Sequence, residues 1–213
     1  MKFFLKSVGG ILAVTISLGL VFDYQFFSIY LPRIIFHNNF HPVSEGELYR
    51  AAQMSHEALT ATVKTYGINS IIDLRAGEAD PDSNGITEPM TAQKLGVDYF
   101  HVPMFASRVP SRETVENLLG IFNTAKRPIL VHCSSGTHRT GVASALWLLA
   151  QKHESPSVAS QQLSAHYGHV PLERRLKTLV SGKPTIDTML THYVEDASVS
   201  SISFGQWAEK NLQ

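Results

Sequence analysis

The 213-residue chain has one cysteine, no excess of either charge and, after its first two dozen residues, no long apolar run. A single cysteine excludes an intramolecular disulfide and leaves the thiol to packing or to chemistry. Lysine plus arginine number 18 and so do aspartate plus glutamate, so the chain lacks the basic stripe that a nucleic-acid partner asks for. The ten histidines fall in no metal-ligand spacing. Even His166 and His169, which would share a helix face, read as core-edge imidazoles. There is no internal repeat and no low-complexity segment, and the length fits one domain with a terminal appendage.

The one long apolar run is at the amino terminus. Lys2 and Lys6 precede Val8–Phe22, and Phe3–Phe22 reaches the roughly 20 residues of a membrane span if Lys6 snorkels. The only small-x-small cleavage candidate nearby, Ser17-Leu18-Gly19, lies inside the run, which argues for an uncleaved signal anchor over residues 1–23. Positive charge before the span and Asp23 after it predict a cytoplasmic amino terminus and a domain across the membrane, which in a bacterium is the periplasm. Residues 24–38 read as a juxtamembrane linker, and 39–213 as the folded domain.

The chemistry is concentrated in Ile129–Gly141, ILVHCSSGTHRTG. Branched apolar residues end in His132 and Cys133, a short loop follows, and then come Arg139, Thr140 and Gly141. This spacing predicts a strand, a tight loop and a helix start. Inward-turned amides and the positive end of the helix dipole would bind a tetrahedral oxyanion, with Cys133 at its base. The same field lowers a thiol from about 8.5 to roughly 3.5–7.5 and makes it a nucleophile. Arg139 is the candidate clamp on two phosphoryl oxygens, Gly136 suits a close backbone approach, and Thr140 is placed to donate to the sulfur.

Around this loop the pattern alternates strands and helices. Strands are expected at Glu47–Ala51, Ile68–Leu74 and Asp98–Met104, and helices from Ser55 to Tyr66, over Glu88–Leu95, from Ser111 to Thr124 and over Thr140–Lys152. Further helices are expected at Pro156–Tyr167, Pro171–Leu179 and Thr185–Val194, while Ser198–Gln213 is ambiguous. The fold class is therefore α/β, a central mostly parallel sheet flanked by helices, with the amino-terminal anchor helix attached. The long polar loop Arg75–Thr87 leaves a strand end, where open α/β sheets bind their ligands.

The string His132-Cys133-x5-Arg139-Thr140-Gly141 resembles the phosphate-binding loop of the cysteine-dependent protein tyrosine and dual-specificity phosphatases. Tyr49-Arg50-Ala51-Ala52-Gln53, Ile72-Asp73-Leu74-Arg75, His101-Val102-Pro103-Met104 and Tyr167-Gly168-His169 extend the likeness to a bacterial group of that family, over about Asn39 to Leu179. The resemblance implies the family fold and a two-step mechanism. Cys133 takes the phosphoryl group as a phosphocysteine, and water then hydrolyses it. Arg139 and the loop of His132, Ser134, Ser135, Gly136, Thr137 and Thr140 hold the phosphate, and neither metal nor organic cofactor takes part.

One part of the family pattern is missing. Many members carry an aspartic acid on the loop some thirty residues before the cysteine, but Phe105–Pro110 holds no carboxylate. Asp80 and Asp82, with Glu78, are candidates on the earlier loop, and His138 is the candidate within the nucleophile loop. Arg108, Arg112, Arg174, Arg175 and Lys177 are candidate rim cations for a polyanion. The expected substrate is a phosphorylated protein, with inositol phosphates as the alternative. A phosphate-ester-binding pseudophosphatase and a sulfurtransferase are the other readings.

Overall fold

The computed structural model describes residues 38–77, 81–169, 185–200 and 203–212. The expected anchor, residues 24–37 of the expected linker, Glu78, Asp80 and the helix expected at Pro171–Leu179 with Arg174, Arg175 and Lys177 lie outside the described residues. Among the described residues no helix is long and apolar enough to cross a membrane.

Five strands form one sheet in the order β1-β2-β5-β3-β4. They are β1 (His41–Ser44), β2 (Leu48–Ala52), β3 (Ser70–Asp73), β4 (Asp98–His101) and β5 (Ile129–Cys133). All neighbours are parallel except β1, which pairs antiparallel with β2. The parallel strands end together: Cys133 lies beside Ala52, His132 beside Asp73, and Asp73 beside His101. That shared carboxyl edge is where a parallel sheet presents its site. β5 is buried throughout, as an apolar central strand covered on both faces should be. The sequence pattern did not indicate β1. Pro42 masks it, yet proline is tolerated at a sheet edge, where one side of the strand needs no hydrogen bonds.

Helices α1 (His56–Tyr66) and α2 (Glu88–Leu95) cover one face. There Leu59, Val63 and Ala92 meet Tyr49, Ile71 and Leu130. The other face carries α3 (Arg112–Thr124), α4 (His138–Gln151), α5 (Pro156–Ser160), α6 (Ile186–Ser200) and α7 (Phe204–Asn211). Val115, Phe122, Leu146 and Trp147 pack there on Ile72, Ile129 and Val131. Local chemistry sets the ends of these helices. Ser55 and Ser111 accept the amides of Ala58 and Thr114 as N-caps, and Gly67 closes α1 at a φ of 62°.

One expectation is corrected and one ambiguity is resolved. The helix expected over Pro156–Tyr167 stops at Ser160, and a single 3-10 turn, Ala165–Tyr167, follows. The break releases the Gln162 carbonyl, which accepts a bond from Arg50 at 2.8 Å instead of continuing a helix. The ambiguous carboxyl end forms α7, started by a Ser203–Gln206 capping box and packed through Phe204 and Trp207 on Tyr193.

Candidate active site

Cys133 ends β5, residues 134–137 turn, and His138 begins α4. A loop can aim its N–H groups inward only if its carbonyls find donors outside, and each of these does. The Ser134 carbonyl accepts the Gln53 amide at 3.2 Å, and that of Ser135 accepts Asn39 Nδ2 at 3.1 Å. The Gly136 carbonyl accepts Arg50 Nη2 at 2.7 Å, and that of Thr137 accepts the Gly141 amide at 3.0 Å. Among the described residues, the amides of Ser134, Ser135, Gly136 and Thr137 donate to no backbone carbonyl. The result is an oxyanion cup.

Cys133 is 1% exposed at its base. Burial pushes its thiol pKa up, but the Arg139 charge, the Thr140 hydroxyl and the amides of Thr140 and Gly136 more than offset this and hold it below the ordinary value. Arg139 folds back over the loop: Nη2 donates to Ser134 Oγ at 3.1 Å and Nη1 reaches the Leu74 carbonyl at 3.5 Å. Gly136 has a φ of 69° and lies so close to β2 that a Cβ would stand 2.6 Å from the Ala52 nitrogen. Ser135 and Ser134 are exposed, whereas Thr137 is buried with its hydroxyl on the carbonyls of Ser135 and Tyr167.

From residue 36 to 176 the sequence matches the model of the family described as DSP-PTPase phosphatase fused to NAD+ kinase. The chain belongs to this phosphatase family. Solved phosphatases share its fold. TpbA of P. aeruginosa, in complex with pTyr, is 20% identical over 62% of this chain and 76% of its own, with a TM-score of 0.51. The catalytic core of Siw14, a PP-IP phosphatase of S. cerevisiae, is 23% identical over 82% of this chain and 95% of its own, with a TM-score of 0.54. PTPMT1, in complex with PI(5)P, is 15% identical over 62% and 85%, with a TM-score of 0.51. No curated protein matches the sequence.

Within this phosphatase the residues behind the loop form two polar groups that spacing alone did not reveal. Arg50 and Asn39, both 0% exposed, grip the loop carbonyls. Beside them is a buried cluster of ions at the strand ends. Arg75 Nη2 lies 2.6 Å from Asp73 Oδ2 and 2.9 Å from Glu88 Oε2, and His132 Nε2 lies 2.6 Å from Glu88 Oε1. The Tyr99 hydroxyl donates to Asp73 at 2.7 Å. Asp73, Glu88 and His132 stand close enough together to hold a metal. Arg75 and His132, however, already engage both carboxylates and supply the balancing positive charge, so the donor set does not suit a further cation. His132, placed by sequence among the phosphate-binding residues, belongs to this cluster. Burial lowers its pKa, but the Glu88 bond and the charges of Glu88 and Asp73 raise it further, leaving it above 6.5.

The candidate acids separate. Asp82 Oδ1 accepts the amides of Asn84 and Ile86 at 2.8 and 2.9 Å, and its Oδ2 faces His56 at 3.8 Å. The Ile86 amide is the main cause of a lowered pKa, whereas a proton donor needs a raised one. Asp82 therefore serves its own turn. His138 is half-buried and lies edge-on to His169, ring centroids 5.1 Å apart. His169 in turn lies 3.2 Å from Asp187 Oδ2 at the start of α6. Sequence reasoning missed His169 and Asp187 as neighbours of the loop, because only tertiary packing brings them there: the Tyr167 carbonyl ties the turn before His169 to Thr137, and α6 adds Asp187. Of the described rim candidates, Arg108 stacks 3.9 Å above the Phe105 ring, and Arg112 pairs with Glu116 on its own helix at 2.6 Å.

Proposed function

We propose that the protein hydrolyses phosphate monoesters through a phosphocysteine at Cys133, with phosphotyrosine or dual-specificity protein substrates as the first reading. The observation that carries this is a buried thiol whose pKa is nevertheless lowered, at the base of a loop with inward amides and a guanidinium. The thiolate attacks phosphorus in line, the S–P bond forms as the ester P–O bond breaks, and the leaving oxygen takes a proton. Water then attacks phosphorus, the S–P bond breaks, and thiolate and inorganic phosphate are released. Arg139 and the amides of residues 134–139 hold the equatorial oxygens in both steps. The pTyr complex of TpbA supports this substrate class, and the exposed Phe105 is the candidate aromatic wall.

Rapid-quench mass spectrometry with an aryl phosphate should find one phosphoryl group on Cys133 within a turnover. Binding without that adduct supports the capture reading instead. Iodoacetamide should inactivate the enzyme at neutral pH, with an inflection below the ordinary thiol range and protection by vanadate.

In this proposal His138 supplies the leaving-group proton, since the Phe105–Pro110 loop has no carboxylate. His138→Asn should then slow phenyl phosphate by about 10²-fold, yet leave 2,4-dinitrophenyl phosphate, whose leaving group needs no proton, within severalfold of wild type. Equal losses on both substrates would remove His138 from this role.

The second reading, an inositol phosphate or inositol pyrophosphate substrate, draws on the PI(5)P complex of PTPMT1 and on Siw14. A panel of phosphopeptides, phosphoinositides and soluble inositol phosphates separates the two. We further place the domain beyond a membrane anchor formed by residues 1–23, which an oxidation-dependent reporter fused after Gln213 tests.

A further inference from the structure

Among the described residues Arg50 is the largest charged side chain that is fully buried. Its residue is 0% exposed, and among the described residues no carboxylate lies within ion-pair distance of its guanidinium. Buried charges are normally paired. Here Nη1 donates to the carbonyl and to Oε1 of Gln162, both at 2.8 Å, and Nη2 to the carbonyls of Gly136 at 2.7 Å and Thr137 at 3.5 Å. The guanidinium carbon stands 3.8 Å above the Tyr167 ring, and Nε is buried without a partner. Every contact is therefore with a neutral dipole or a π face.

We propose that Arg50 is a positioning residue of the site, a second cation behind the loop. It pulls the Gly136 and Thr137 carbonyls outward so that the amides face inward, and its unpaired charge stabilises the anions that gather at Cys133.

Neutral donors such as asparagine or glutamine would meet carbonyls at a much smaller desolvation cost than a buried charge. A full charge is useful only where an anion faces it. Burial pushes the Arg50 pKa down from 12.5 to about 10, with Tyr167 and Cys133 the groups that pull it back up, so the side chain stays charged at neutral pH. Arg139 is the charge that does most to lower the Cys133 pKa, and the mutual influence of Cys133 and Arg50 puts a second cation within electrostatic reach of the sulfur. The inference rests on the reading of Cys133 as nucleophile.

Gln162→Glu tests it in the full chain, because it places a carboxylate on Arg50 without removing a bond. A merely structural Arg50 predicts unchanged or higher thermal stability and an unchanged thiol. The proposal predicts that stability is kept while the inflection of Cys133 alkylation by iodoacetamide rises by about one pH unit, a roughly tenfold loss of thiolate below the inflection. Protection by inorganic vanadate should weaken by a similar factor. Arg50→Met should shift the inflection the same way, and Arg50→Lys, which keeps the charge but loses the fork, should shift it less while still lowering turnover. If Arg50→Met fails to fold, Gln162→Glu decides alone. An inflection that stays at the wild-type value in Gln162→Glu overturns the proposal. Failure of the nucleophile reading looks different: the wild-type thiol itself would then titrate in the ordinary range.

Discussion

Gly136→Ala is expected to lower turnover by on the order of 10²-fold or more and to destabilise the fold by about 2–4 kcal/mol. Two independent effects combine. A φ of 69° is the left-handed region, which costs a residue with a Cβ roughly 1–2 kcal/mol. The added Cβ would also stand 2.6 Å from the Ala52 nitrogen and 2.7 Å from the carbonyl carbon and oxygen of Ala51. Those atoms are backbone in β2, which is paired with β1 on one side and β5 on the other, so the sheet does not yield. The loop must lift instead. Lifting breaks the 2.7 Å bond from Arg50 to the Gly136 carbonyl and moves an amide that helps hold the Cys133 pKa down. Gly46→Ala is the control. Gly46 also has a positive φ, 73°, but a Cβ there meets nothing within 4 Å, so the variant should lose about 1–2 kcal/mol and no chemistry. Urea unfolding and turnover on an aryl phosphate check both. Equal turnover in the two variants would mean that the close approach to β2 does not shape the loop.

Features held by contiguous residues are legible in the sequence. Ser55, Gly67 and Ser111 mark their helix ends because capping is chemistry between residues two to four apart. The Cys133–Arg139 loop is likewise one uninterrupted stretch. What escaped is what the fold brings together from distant segments. Asn39 meets Ser135 across 96 residues and Arg50 meets Gln162 across 112, and no periodicity encodes either meeting. Asp82 looked like a loop acid because sequence shows its charge but not the two amides that occupy it. The helix expected over Pro156–Tyr167 ended early for a tertiary reason as well. Its propensity was adequate, but a buried guanidinium competed for the Gln162 carbonyl.

Asp73→Asn should be among the most destabilising single changes outside the loop, at about 3–5 kcal/mol, because removing one partner leaves buried charge uncompensated. The Asp73 side chain is fully buried. It accepts both Arg75 Nε and Nη2, and it is the acceptor of the Tyr99 hydroxyl. Burial alone would raise its pKa. The Arg75 bonds, the nearby His132 and the Tyr99 hydroxyl together hold it below 3.8. The stability it contributes is therefore fully present above its unfolded value and is lost as pH falls through the depressed folded one. His132 runs the other way. Its folded value is raised above 6.5, so its contribution is complete below 6.5 and is lost as pH rises through the folded value. The cluster should then support the fold best between pH 3.8 and 6.5, with an acid limb from Asp73 and an alkaline limb from His132. In Asp73→Asn the acid limb should flatten. The alkaline limb should become smaller and end at lower pH, since His132 loses one of the two anions that raise it and keeps Glu88 at 2.6 Å. Urea midpoints measured across this range read both limbs. A variant that keeps the wild-type acid limb would assign it to other carboxylates and remove Asp73 from the balance of charge beneath the loop.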